Sequence, residues 1–138
     1  MNSDERKKKF QIGLEHFNAE KFFEAHEFWE EIWLREAEPE KTFLQGLIQV
    51  TAAFHHYQRG NPEGTELLLA AGIVKLSRFP EDHHGLAIGK LRSVAKSWAR
   101  ALGADEDPGK EALPKLERAS GSADTRPTKK KTKTRARR

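Results

Sequence analysis

The sequence predicts an all-α protein: a compact bundle of about five helices built on antiparallel helical hairpins. Three observations predict it. Apolar residues recur at i, i+3, i+4 and i+7 in successive segments, the spacing of one helical face. Asn, Gly and Pro fall between those segments, where they end one helix and start the next. No stretch alternates with α/β units, and there is no glycine-rich phosphate loop.

Ser3 is placed to cap the first helix, with Asp4 and Glu5 at its positive end. Phe10, Gly13, Leu14 and Phe17 then share a face, and Lys7 to Lys9 read as a solvated charge run. Asn18 can end this helix in a left-handed conformation. The short turn after it makes an antiparallel hairpin with the second helix.

That second helix, Phe22 to about Arg35, organises the chain. At about 100° per residue, Phe22, Ala25, Trp29, Ile32 and Trp33 fall together. Phe28 lies at one margin of this arc, Phe23 and Leu34 at the other. Glu24, Glu27 and Glu31 fall on the solvent side. His26 and Glu30 lie inside the apolar arc, four residues apart and within reach of each other. A carboxylate among apolar groups costs several kcal/mol unless something pairs with it, so the two are expected to pair or to share a ligand.

Pro39 suits the first turn of a third helix, and Glu40 complements its dipole. Residues 41–59 are apolar nearly all round, so this helix is central. Gln45, Gln49 and His56 make its narrow polar stripe, while His55 projects between Leu44 and Ile48 as a third polar residue set into an apolar face. Gly46 inside the helix costs about 1 kcal/mol against alanine, which predicts close approach by a neighbour.

Gly60 closes the third helix, Asn61 caps a fourth, and Pro62 opens its first turn. On this helix Leu67, Ala71 and Val74 share one face and Leu69, Ile73 and Leu76 another; Phe79-Pro80 ends it. Glu81, Asp82, His83 and His84 follow. Adjacent acids and histidines in a loop could hold a metal, but consecutive residues rarely converge on one ion, so a solvated loop is the expectation. A fifth helix runs from about Gly85 to Leu102, its seam formed by Ile88, Leu91, Ala95, Trp98 and Leu102. A short helix through Leu113 and Leu116 is expected after it, interrupted at Pro114.

Trp29, Trp33 and Trp98 each contribute up to about 4–6 kcal/mol if fully buried. A core this aromatic leaves little room for a cavity, which puts any site at the edge of the contact between the second and third helices.

Composition sets the remaining bounds. The chain has 138 residues and no cysteine, which removes disulfides, thiolate metal sites and cysteine nucleophiles and fits a cytoplasmic location. Met1 to Lys9 are charged and no apolar run follows, so no secretory signal is expected, and the apolar run Leu67 to Val74 is far too short to cross a bilayer, so no membrane partner is expected. The formal charge of +4 conceals an uneven split. Residues 120–138 carry eight Lys/Arg against one Asp, whereas residues 1–119 carry 17 Lys/Arg against 20 Asp/Glu. The division is therefore a helical domain, 1–119, and a tail, 120–138, which is basic, lacks large apolar residues and is expected to be disordered.

Three blocks resemble a known family. Glu24-Ala25-His26-Glu27 with Glu30 and Trp33, then Phe43-Leu44-Gln45-Gly46, then Ala52-Ala53-Phe54-His55 followed by Gly60-Asn61, are similar in order and spacing to domain-of-unknown-function family 309, over roughly residues 10–78. The resemblance implies a small all-helical prokaryotic domain with His26, Glu27, Glu30, Gln45 and His55 in its pattern. It supplies no catalytic residues. Other patterns do not fit. A His-Glu-x-x-His zinc motif needs histidine where Glu30 stands, a ferritin-like Glu-x-x-His needs glutamate where Phe23 stands, and one tetratricopeptide-like hairpin is not an array.

Three functions follow as expectations. A structural or interaction module, homodimeric or bound to a protein partner, would use the cluster of His26, Glu27, Glu30, Gln45 and His55 to set helix register. A metal-dependent enzyme or metal-binding protein would hold a divalent metal through His26, Glu30 and His55, with Glu27 beside them. The tail would grip nucleic-acid phosphates without sequence preference through Arg126, Lys129, Lys130, Lys131, Lys133, Arg135, Arg137 and Arg138.

Overall fold

The computed structural model describes residues 1–119. The tail, 120–138, with its expected disorder and its nucleic-acid contacts, lies outside the described residues. The described chain forms five α-helices: α1 Ser3–Asn18, α2 Phe22–Trp33, α3 Glu40–Gln58, α4 Pro62–Leu76 and α5 Ile88–Gly103. Each helix packs on the next in sequence, α1 on α2, α2 on α3, α3 on α4 and α4 on α5. No helix among the described residues is long and apolar enough to cross a membrane.

Local chemistry accounts for most boundaries. Asn2, one residue before Ser3, caps α1: its side chain accepts from the Glu5 N–H while the Glu5 side chain accepts from the Asn2 N–H, so two orphan donors are satisfied reciprocally. Asn18 stays helical, and Glu20 takes the left-handed turn instead, with φ 64°. The Asn18 amide is used elsewhere: it donates to the Leu116 carbonyl at 3.0 Å and accepts the Leu116 N–H at 2.7 Å. Pro39 precedes α3 as its cap residue rather than opening its first turn. Gly60, at φ 75°, separates α3 from α4, and Asn61 caps α4 by accepting the Gly64 N–H at 3.1 Å.

The core runs from Phe17, Phe22 and Trp29 through Phe43, Leu47 and Phe54 to Leu76, Ile88 and Trp98, all buried. Phe54 meets Phe22 on one side and the Trp98 ring edge-on at 5.2 Å on the other, so α3 is the centre of the bundle, as its apolar circumference implies. Its contact with α4 is close. A β-carbon added at Gly46 would lie 3.0 Å from Leu76 Cδ2, and one added at Gly72 would lie 3.0 Å from the Gly46 carbonyl oxygen.

Two expectations about burial change. Trp29 and Trp98 are buried and donate their indole N–H groups to the Phe10 and Ala112 carbonyls, but Trp33 is only half-buried and lies under the Lys41 ammonium, 4.4 Å from its ring. The far margin of the α2 arc is open to solvent, with Phe23 47% and Leu34 65% exposed. On α4, Leu67 and Val74 face outward at 74% and 60%.

After α5 the chain does not form the expected helix through Leu113 and Leu116. A 3-10 turn at Lys110–Ala112 leads into an extended segment, because Pro114 lacks the N–H that a helix there would need. Leu113 and Leu116 still bury their side chains. The segment then pairs antiparallel with the stretch before α5: the Ala87 N–H donates to the Glu117 carbonyl at 2.7 Å, and the Ala119 N–H to the Gly85 carbonyl at 2.8 Å.

Candidate functional site

The loop between α4 and α5 is folded, not a free solvated stretch. A 3-10 turn at His83–Gly85 is closed by the Leu86 N–H on the His83 carbonyl at 3.1 Å. Within it His84 has φ 60° and ψ 19°, the left-handed region, which histidine visits more readily than most residues. This reversal is how two consecutive side chains reach one point. His83 Nε2 lies 2.9 Å from Glu40 Oε2, and His84 Nε2 lies 2.6 Å from Glu40 Oε1. Glu40 opens α3, where the helix dipole favours a carboxylate.

Aromatic rings set the orientation of both imidazoles. His84 stacks on Phe43 at 5.1 Å and on Phe10 at 5.6 Å. His83 meets Phe43 at 4.5 Å and Phe79 at 4.9 Å. The pairing of Leu86 with Arg118 ties down the chain just beyond. Burial pushes the Glu40 carboxyl up, but the hydrogen bond and charge of His84, and then those of His83, outweigh burial and hold it below the usual carboxylate range.

One ligand atom from each of Glu40, His83 and His84 lies within 4.8 Å of the others, and among the described residues this is the grouping of three or more such side chains that could hold a metal ion. Donors about a tetrahedral ion stand roughly 3.4 Å apart, so modest rotation of these side chains would close the set. The group borders a cavity of about 480 Å³ lined by Arg6, Lys7, Phe10, Gln11, Ile32, Glu36, Glu40, Leu44, His84 and Arg118. This is an open concavity at the surface, bordered by α1, the end of α2, the start of α3, the His84 loop and Arg118, and it is not a hole in the aromatic core.

His26, Glu30 and His55 are not in that grouping. All three are half-buried along the edge where α2 meets α3. His26 Nδ1 is buried without a hydrogen-bond partner, so the expected pairing with Glu30 does not form through that atom. His26 and His55 both face the Phe23 ring, at 6.3 and 5.4 Å. Burial, then the charges of Arg59, His56 and His26, lowers the His55 pKa, with Glu24 opposing. Glu27 is exposed and Gln45 half-buried.

The sequence gives Glu40 only a role at the helix dipole and favours a solvated loop over a metal site for His83 and His84, so it does not join the three. The signal available was the His83-His84 pair itself, straight after the Phe79-Pro80 stop. Its partner stands 43 and 44 positions earlier, a separation that periodicity does not bridge.

The fold and its site define a small all-helical domain carrying a His/Glu group beside a cavity. Residues 10–68 match the family model described as a domain of unknown function (DUF309), the family that the three sequence blocks resemble. The matched segment holds Glu40 but ends before His83 and His84. The chain is also similar to an uncharacterized protein of Aquifex aeolicus (strain VF5), 30% identical over 78 residues. That alignment covers 56% of this chain and spans 23% of the relative's length.

Proposed function

We propose that this domain binds a divalent cation, of the zinc or ferrous class, through Glu40, His83 Nε2 and His84 Nε2. The observation that carries the reading is the convergence of these three donors from two segments more than 40 positions apart in the chain. Two imidazoles and one carboxylate are a donor set that suits zinc or non-haem iron, and three protein ligands leave a further position for water or a ligand. That position would face the cavity. Without an ion, both imidazoles donate Nε2–H to the carboxylate. A bound ion would replace those two hydrogen bonds, and each ligating imidazole would then carry its proton on Nδ1.

Elemental analysis of untagged protein tests this, with His83→Ala and His84→Ala beside His26→Ala and His55→Ala. Near-stoichiometric metal lost only in the first pair supports the reading. Metal lost in the second pair instead would move the site to the α2–α3 edge. Absence of metal from the parent protein, after incubation with zinc or ferrous ion, would sink the proposal.

A second reading, a structural or interaction module, is favoured by the exposed apolar side chains Phe23, Leu34, Leu67 and Val74. The half-buried His26, Glu30 and His55 would then set helix register beneath a partner surface. Sedimentation analysis tests its homodimeric form: a strict monomer at all concentrations counts against it.

A further inference from the structure

Resting on the metal reading, we infer that the ligand taken beside the ion is a small organic oxyanion with an apolar body. The cavity volume of about 480 Å³ falls within the roughly 300–1,000 Å³ usual for small-molecule sites. Its lining divides by chemistry. Phe10, Ile32 and Leu44 supply apolar surface, and the Phe10 ring already stacks on His84. Arg6, Lys7 and Arg118 supply three fixed cations.

Both carboxylates of the cavity are already engaged. Glu36 Oε2 lies 3.5 Å from Arg6 Nε, and Glu40 takes both histidines. No hydrogen bond or ion pair engages the side chains of Lys7 and Arg118 among the described residues. Arg118 is held at the rim by the backbone pairing with Leu86, next to the loop that carries His84. The cavity thus offers uncompensated positive charge and a hydrophobic wall together, and a bound divalent ion adds further positive charge. A guanidinium and an ammonium suit an oxyanion head, and the wall of Phe10, Ile32 and Leu44 suits an apolar body.

The test is calorimetric titration of zinc-loaded and metal-free full-length protein with phenylphosphonate, inorganic phosphate and benzyl alcohol. The variants are Lys7→Met, Arg118→Met and the double substitution, with metal content read separately by elemental analysis. The expected result is that phenylphosphonate binds the loaded protein more tightly than either other probe. Arg118→Met should weaken it about tenfold, the usual loss for one charge-assisted hydrogen bond, without changing metal content. Phosphate binding as tightly as phenylphosphonate, the double variant binding like the parent, or no binding to metal-loaded protein would each overturn the inference while leaving the ion site standing. Should the protein hold no ion, the metal reading falls separately. Phenylphosphonate binding lost in the double variant would still support the anion site, and no binding would overturn it.

Discussion

His84 Nε2 stands 2.6 Å from Glu40 Oε1 across 44 positions of the chain, and this contact anchors the α4–α5 loop to the start of α3. It makes stability depend on acid. The folded Glu40 carboxyl titrates below its ordinary value, the net result of burial raising it and the two histidines lowering it more. A depressed carboxyl pKa adds stability that is present above the unfolded value, about 4.3, and is lost as pH falls through the folded value. Because a third of the side chain remains exposed, solvent screening keeps the effect below about 1 kcal/mol. Thermal unfolding of the metal-free parent and Glu40→Gln should show a gap in Tm at pH near 6 that narrows as pH falls past the unfolded carboxyl value, about 4.3, and closes once the folded carboxyl is protonated. A gap that does not narrow on acidification would remove the ionic part of this contact.

The α3–α4 contact yields a prediction about two glycines. At Gly72 an added methyl meets backbone, the Gly46 carbonyl oxygen at 3.0 Å and the Val50 nitrogen at 3.1 Å, as well as Val50 Cγ2 at 2.7 Å. At Gly46 it meets the flexible end of Leu76 at 3.0 Å and Lys75 Cβ at 3.1 Å. Alanine gains roughly 1 kcal/mol of helix propensity at either position, and overpacking costs about 1–3 kcal/mol. Gly72→Ala should therefore destabilise by about 1–2 kcal/mol, whereas Gly46→Ala stays near neutral. Urea unfolding of both variants decides it, and an equal loss at the two sites would contradict the packing argument.

How far the sequence carries follows from how local each determinant is. Asn61, Gly60 and the spacing of Phe22, Ala25 and Trp29 act within a turn or two, so the helices and their buried faces are legible. A helical wheel shows which residues share a face but not how much of that face a neighbour covers. Phe23 and Leu34 are exposed because α2 packs on α1 and α3 and, among the described residues, no further helix covers that margin. The candidate site is less legible for a different reason. Glu40, His83 and His84 meet only after α3, α4 and the loop are assembled, and only because His84 adopts a backbone conformation that its type permits without requiring. The family resemblance points to His26, Glu30 and His55, whose blocks are contiguous in sequence, and not to a group that spans distant segments.

Tyr57 provides an independent probe of the segment after α5. Its hydroxyl donates to Asp107 Oδ1 at 2.7 Å, and that hydrogen bond, followed by burial and the Asp107 charge, pushes its pKa up to about 12. It is the sole tyrosine of the chain, so phenolate absorbance reports on it alone. A raised pKa adds stability that is present below the unfolded value, about 10, and is lost as pH rises through the folded one. The parent should ionise near pH 12, and Asp107→Ala should bring the midpoint back toward 10. A midpoint unmoved by the substitution would mean that the Asp107 contact does not hold in solution.

The left-handed backbone of His84 separates two roles of one residue. At φ 60° a residue with a β-carbon is disfavoured by roughly 1 kcal/mol, whereas glycine is not. His84→Ala and His84→Gly both remove the imidazole, so both should lose the contact to Glu40 and weaken metal uptake equally. Only the glycine relieves the backbone. His84→Gly should therefore be more stable than His84→Ala by about 1 kcal/mol, less a few tenths for the greater freedom of glycine in the unfolded chain. Metal titrations and thermal unfolding of the two variants read these effects separately. Equal metal loss with unequal stability assigns the imidazole to ligand binding and the backbone to strain, since the aromatic contacts with Phe10 and Phe43 vanish alike in both variants. Equal stability would mean that the loop relaxes out of the left-handed conformation once the imidazole is gone, and that the hold on Glu40, not the turn itself, keeps His84 there.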